Sequence, residues 1–359
     1  MKDLFLLCSK VSETGHMSIR TALFFIITLI PAPLLLAAGF TGGFWVPLAF
    51  LYLTGFAMFC DEAFELDFSK GGDSWLARQA LPITLSLIHF MLLPLAIYSL
   101  ATLDLSVGYK ILLFMAFGLF FGMISHSNAH ELIHRSNRLH HRLGKWAFIS
   151  MMFGHHTSAH MLVHHVHVCT PKDPNTARYN ESFYSFLKRA SVSEFIEGLR
   201  AENNRLGKQG LAAMNLHNPY WQYCIGAFCM VLIAYLIAGF TGVFVYICLC
   251  SYAQLQMLMI DYVQHYGLER TQLENGKYEP VSLRHSWNAP HWFSAFMTMN
   301  APRHSDHHAS PAKLYTELDG HKDTAPQLPY SLPIMAAIAF SPRRWRKIMN
   351  PRVTKWRET

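Results

Sequence analysis

Six runs of nearly unbroken apolar residues decide what this chain can fold into. They lie at about 21–40, 44–60, 80–101, 107–125, 221–240 and 242–262. A helix needs roughly twenty residues to cross the hydrocarbon core of a bilayer. Inside that core, only helices and closed barrels satisfy every backbone N–H and C=O. The runs come in pairs joined by short turns at Thr41-Gly42-Gly43, at DLSVG over 104–108 and at Gly239 to Gly242. Three hairpins place both termini and two long polar segments, 126–218 and 263–359, on the same side. A chain of 359 residues has room for two soluble domains, but 52% hydrophobic and only 15% charged residues favour a membrane protein. The predicted fold is a single all-α membrane domain over 1–359, with six transmembrane helices in three hairpins and a His-rich cap.

The basic residues set the orientation. Three Lys and Arg precede the first run, two lie between the second and third, eleven between the fourth and fifth, and thirteen after the sixth. Lys110 is the one exception. By the positive-inside rule, both termini and the cap face the cytosol of a cell whose inner membrane holds the chain. The charge of +7 then reflects topology, and no nucleic-acid partner is expected. DLFLLC near the start is too short for the apolar core of a signal peptide. Pro31 and Pro33 predict kinks in the first helix, and Asp61, Glu62, Glu65 and Asp67 form a run of carboxylates at the inner end of the second. The seven Cys contain no C-x-x-C pair, so neither a disulfide framework nor a Cys-ligated iron centre is expected. Ionisable residues sit almost wholly outside the apolar runs, which argues against a transport pathway.

The chemistry is carried by histidine. Most of the 21 His crowd four windows: HELIHR at 130–135, AHMLVHHVHVCTPKDPNTAR at 159–178, DYVQHYGLER at 261–270 and PRHSDHHAS at 302–310. On a helix, His130 and His134 lie one turn apart and face the same way. His160, His164 and His165 fit a similar turn, as do His304, His307 and His308. With His265 they make nine imidazoles, too many for one ion, so the spacing predicts an all-nitrogen site for two metals. HELIH also matches the zinc-protease pattern H-E-x-x-H, with Glu131 as base, but that chemistry needs only one further ligand. A soluble carboxylate di-iron bundle needs a second E-x-x-H, and none exists. His89, within the third run, reads as a hydrogen-bonded packing residue. His126, His140, His141, His155, His156 and His167 read as neighbours of the ligands or surface residues, and His16, His217, His285, His291 and His321 as neither.

The three His boxes in order resemble those of the integral-membrane di-iron superfamily of desaturases and hydroxylases. The set HELIHR, HHVHVCTPKDPNTAR, DYVQHYGLER and RHSDHHA is more specifically similar to the AlkB-type alkane 1-monooxygenase family and its relative, the xylene monooxygenase hydroxylase component. Ala159 stands where that family typically has Glu, and Val163 where it has Gly. The resemblance implies that His130, His134, His160, His164, His165, His265, His304, His307 and His308 bind two Fe ions. It implies hydroxylation of the terminal methyl of medium-chain n-alkanes with O2, and electrons from a rubredoxin with its reductase, or from a flavin/iron–sulfur reductase. A benzylic methyl hydroxylase and a membrane fatty-acyl desaturase remain as alternatives. Neutral imidazoles leave the metal pair cationic, so carboxylates are expected to orient the rings through their remaining N–H groups. Asp61, Glu62, Glu131, Asp261 and Asp306 are the candidates, although Arg135 and Arg303 are equally placed to pair with them. An apolar substrate would arrive from the bilayer between helices. Lys188-Arg189, Arg343-Arg344 and Arg346-Lys347 offer a basic face to an acidic electron carrier.

Overall fold

The structure is a computed structural model that describes residues 18–64 and 75–358. Glu65, Asp67 and His16 lie outside the described residues. Among the described residues, five helical stretches are long and apolar enough to cross a membrane: α1 (Ile19–Thr41), α2 (Trp45–Ala63), α3 (Leu76–Thr102), α4 (Val107–Ile133) and α8 (Tyr220–His265). Between α4 and α8 come α5 (Arg138–Ser150), α6 (His156–Ala159) and α7 (Phe183–Gly207). After α8 come α9 (Trp292–Met297), α10 (His304–Ala309), α11 (Leu332–Ala339) and α12 (Pro342–Glu358). Among the described residues the only β pairing is two isolated bridges.

The apolar helices end close to where the sequence places them. α1 breaks at Ile30, and Pro31 starts its second half, where a missing N–H costs nothing. α8 differs from the simple expectation of two runs separated by a loop. It is helical on both sides of Ala238 and Gly239, which alone leave helical geometry. A Cβ built on Gly242 would lie 2.3 Å from the Ala234 carbonyl oxygen. Eight residues of unbroken helix would separate those groups by about 12 Å. The chain therefore folds back on itself here, and α8 is two apposed arms. Large apolar side chains around this bend stand bare, Leu236 at 73% and Phe240 at 82% exposure. On a water-soluble surface such a patch would be a liability; here it faces lipid. The chain is an integral membrane protein.

Two cores flank the His windows. One fills the interior of the apolar helices, with Leu35, Val46, Leu92, Phe117 and Phe120 among its buried side chains. The other is built by the polar segments around Phe183, Tyr262, Tyr266, Trp287 and Trp345. α4 joins them. It extends past its apolar run and carries His130 into the cap without a break. α5 packs against this extension at backbone range, because a Cβ on Gly144 would lie 2.6 Å from the Ala129 carbonyl oxygen and 3.1 Å from Ile133 N. No side-chain rotation relieves a clash with backbone. Gly144→Ala is therefore expected to cost about 1–3 kcal/mol and to lower bound metal per chain, whereas Gly55→Ala, whose Cβ meets only Leu51 at 3.7 Å, should do neither. Thermal unfolding and metal analysis of the two purified variants check this.

Candidate metal centre

All nine predicted imidazoles converge, and they divide into two groups. His130, His134, His160, His165 and His307 form one; His164, His265, His304 and His308 form the other. Within each group the ring nitrogens lie within 4.8 Å of one another. The division, which spacing alone leaves open, follows from local backbone. His130 and His134 lie one α-turn apart at the end of α4 and point into the first group together. His160–His164 is a π-helical turn, closed by the His165 N–H on the His160 carbonyl. Five residues then make about one revolution, so His165 stacks over His160 in the first group and His164 turns to the second. In α10, His304 and His308 share a face and His307 takes the other. His265 is the last residue of α8, which Tyr266 and Gly267 terminate. Gly267 has φ +69°, and a Cβ there would lie 2.9 Å from Val353 of α12, so both backbone and packing require glycine.

The nitrogen spacing fits a metal. The Nε2 of His160 lies 2.8 Å from that of His130, 3.1 Å from that of His134 and 2.9 Å from that of His165. One ring nitrogen carries either one proton or one lone pair, so at most one of these three contacts is a hydrogen bond. Nitrogens about 2.1 Å from a shared ion and at right angles lie about 3 Å apart. In the second group, His304 Nε2 is 3.0 Å from both His265 and His308, and the buried Nε2 of His164 has no hydrogen-bond partner. The residues present therefore suit two cations.

The protonation states agree. Burial first, and neighbouring imidazoles second, hold His160, His165, His304, His307 and His308 well below the ordinary histidine range, so they stand neutral as ligands must. His164 is the exception. Burial opposes its charge, yet Asp173, whose Oδ2 accepts from His164 Nδ1 at 2.9 Å, overcomes this and pushes it up to about 9. Asp173 itself is held low by His164 and by hydrogen bonds from Thr176 and Asn175, against its own burial.

The carboxylates expected around the rings are placed otherwise. Asp61 accepts the N–H groups of Phe293 and Ser294, at 2.8 and 3.1 Å, and so ties α2 to the start of α9. Glu131 is paired with Arg135 at 2.6 Å. Asp261 accepts from Asn175 at 2.7 Å, and Asp306 accepts from Lys313 and the Asp319 N–H. Glu62 lies 3.8 Å from His291, which is not in either group. None of the five bonds a ring of the two groups. That role falls to Asp173 on His164 and to the His285 carbonyl, which accepts from His265 Nδ1 at 3.2 Å. Asp173 sits in KDPNT, and its one sequence signal is that turn-forming run just after the second box. Sequence reasoning also missed Asn288, which caps α10 by accepting the Ser305 N–H at 2.9 Å. His89 bridges Ser125 and Ser150, and His156 donates to Glu194 at 2.6 Å; neither joins a group.

The sequence profile of the fatty acid desaturase family matches residues 108–338. The chain belongs to that family. Among curated proteins it is similar to alkane 1-monooxygenase 2 of Alcanivorax borkumensis, 35% identical over 66% of this chain and 62% of that protein. The match to this relative thus spans less than two thirds of its length. Alkane 1-monooxygenase 1 of the same organism is 29% identical over 97% of this chain and 88% of its own length. The hydroxylase component of a xylene/toluene monooxygenase of Pseudomonas putida is 27% identical over 88% and 84%. The matched segment of the family profile begins with α4 and contains both groups of imidazoles.

The His164–Asp173 pair sets a pH dependence with a definite sign. A metal on Nε2 displaces the proton that metal-free His164 holds up to about pH 9, so affinity should rise with pH until then. Stability of the metal-free protein runs the other way. A raised folded-state pKa gives a contribution complete below about 6.5 that is lost as pH rises through 9. Asp173→Asn should flatten both trends between pH 7 and 9 and weaken metal binding about 10–100-fold. Titration with Co2+ followed by absorbance, at several pH values, measures this directly.

Proposed function

We propose that this chain is an inner-membrane monooxygenase that hydroxylates the terminal methyl of medium-chain n-alkanes at a pair of irons held by the nine imidazoles. In this reading the membrane is crossed six times, with the two arms of α8 as separate crossings, and both termini and the metal centre are cytosolic. The excess of Lys and Arg in the cap supports that orientation.

The observation that carries the reading is an apolar cavity beside the centre. It has a volume of about 250 Å³ and lies between α2, α4, α8, α9 and α11, with Leu53, Met123, Met259, Thr298 and Ala336 in its wall. Met123 precedes His130 by seven residues and Met259 precedes His265 by six, so helix rise puts them about 10 Å from the two groups. The hydroxyls of Thr54 and Thr298 are spent on carbonyls of their own helices, Phe50 and Ser294. No Lys, Arg or His lines the space. It suits a hydrocarbon that leaves the bilayer sideways, and offers no cation to a carboxylate or a thioester head. Saturated C–H bonds have no handle for acid–base chemistry, so a redox metal has to do the work.

When bound, the iron pair would supply the chemistry that uses O2, two electrons and two protons to convert R–CH3 to R–CH2OH and water. The chain's own contributions are narrower. Five imidazoles would hold one iron and four the other, with room left for non-protein ligands. Asp173 and the His285 carbonyl fix the ring planes of His164 and His265. The cavity wall excludes water and aligns the chain end. Electrons must come from another protein, in this proposal a rubredoxin served by its reductase, with a flavin/iron–sulfur reductase as the alternative donor.

Expression with a rubredoxin and its reductase, in a host that does not oxidise hydrocarbons, tests the reaction. Fed medium-chain alkanes and xylene, the cells should form 1-alkanols, and His307→Ala should lower the yield more than about a hundredfold. Methylbenzyl alcohol as the main product would shift the reading to benzylic hydroxylation, which the similarity to the xylene/toluene enzyme favours. An alkene from an acyl substrate, or a single zinc per chain, would overturn it. Ala336→Phe, which narrows the cavity, should raise KM about tenfold for dodecane relative to octane, measured as alcohol formed in purified membranes.

A further inference from the structure

Electrons must enter from the polar end of the molecule, and one cleft there is wired to a ligand ring. It has a volume of about 300 Å³ and lies between the segment after α8 and the end of α12, with Arg270, Arg284, His285, Trp356 and Arg357 in its wall. His285 faces the cleft with its ring and the centre with its backbone. Its carbonyl accepts from Nδ1 of His265 at 3.2 Å, and also from the thiol of buried Cys169 at 3.0 Å. One residue therefore spans the distance from solvent-lined wall to a ring of the second group. Trp356 donates from its indole to the Arg284 carbonyl at 3.1 Å, and the Arg284 guanidinium lies 5.0 Å from its ring centre.

Arg270, Arg284 and Arg357 outnumber the two carboxylates of this wall, Glu269 and Glu279, the latter 3.4 Å from the His285 ring. Arg270 donates to the carbonyls of Glu279 and Val166, and Arg284 to that of Trp356. Neither makes an ion pair among the described residues. Arg357 pairs with Glu269 at 2.6 Å and also donates to the Gly267 carbonyl. Arg352 and Lys355 stand exposed on the same helix. The larger cleft beside the second box is less suitable. Two of the four cations in its wall, Arg189 and Arg200, are bound to Glu181 and Glu197.

We propose that the Arg270–Arg284–Arg357 cleft is the docking surface for a small acidic one-electron carrier protein, with His285 coupling it to His265. This rests on the monooxygenase reading above. In each docking the reduced carrier gives up one electron and leaves oxidised. Two such steps supply the two electrons that, with two protons, balance O2 and hydrocarbon against alcohol and water.

The test uses full-length protein in lipid nanodiscs, with a zinc-substituted rubredoxin as the redox-inert probe of binding and the native iron form for turnover. R284E/R357E should raise Kd about tenfold or more at low salt, and R284Q/R357Q about threefold, with the difference from the parent vanishing near 0.5 M salt. K188E/R200E, which reverses exposed charges on α7, should change Kd less than about twofold. Bound metal and the thermal unfolding midpoint should stay near parental in the Gln pair, so that a folding defect is recognised. Unchanged Kd in the Gln and Glu pairs, or an equal loss in K188E/R200E, would overturn the assignment. Should the parent protein oxidise octane with a chemical reductant yet bind no acidic carrier, the docking inference alone fails. Failure to oxidise any hydrocarbon with any reductant would instead sink the monooxygenase reading on which it stands.

Discussion

Nine imidazoles packed nitrogen to nitrogen do not hold themselves together. Neutral, each ring nitrogen can satisfy one neighbour at most; protonated, the rings repel one another in a buried space. The contacts around His160, with three Nε2 atoms within 3.1 Å of its own, become favourable only around shared cations. Much of the remaining structure keeps these rings close and, His164 apart, uncharged. α4 delivers its two ligands rigidly, because His130 and His134 continue an apolar helix. α10 delivers three more from only six residues, and is held by Asn288 at its first turn and by the backbone turn at Met299 and Asn300, both with positive φ. Strain of that kind persists where surrounding contacts fix the chain.

Charge balance explains the polar layer outside the rings. Two divalent ions with neutral ligands would leave a large positive charge at the edge of an apolar interior. Asp173, Glu194 and Asp261 are each nearly inaccessible, and all three are tied to Asn175. Its backbone N–H donates to Asp173 at 3.0 Å and its side-chain amide to Asp261 at 2.7 Å, with Glu194 at 3.4 Å. Three carboxylates around one amide would be a costly arrangement next to an uncharged site. Beside a cationic pair they are its counter-charge, delivered without crowding the metal with anionic ligands.

The periodic features were legible in the sequence. Apolar runs, paired by short turns and signed by their flanking Lys and Arg, mark the helices to within a few residues, since length and hydropathy are additive along a chain. The nine imidazoles were legible because ligand type and i, i+4 spacing survive any packing. Two kinds of information were not. The π-turn at His160–His164 shifts the angular register by a fraction of a residue, and no composition signals it; that shift decides which group His164 joins. The other is the identity of the orienting carboxylate. Glu131, Asp261 and Asp306 stand near ligands in sequence and Asp61 ends an apolar helix, but they bond to Arg135, Asn175, Lys313 and backbone instead, whereas Asp173 lies nine residues from its ring in an irregular loop. Proximity along the chain is a poor guide to hydrogen bonding where a loop can turn in any direction.

The division of ligands has a mechanical consequence. The second box gives His160 and His165 to one group and His164 to the other, and α10 gives His307 to one and His304 and His308 to the other. Two short segments thus straddle both groups, while α4 serves only the first and α8 only the second. A displacement of either straddling segment moves ligands in both groups at once, so the two positions cannot relax independently. The apolar cavity approaches along α4 and α8, the two elements that serve one group each. Substrate-side packing can therefore change along those helices without redrawing the segments that fix one group relative to the other.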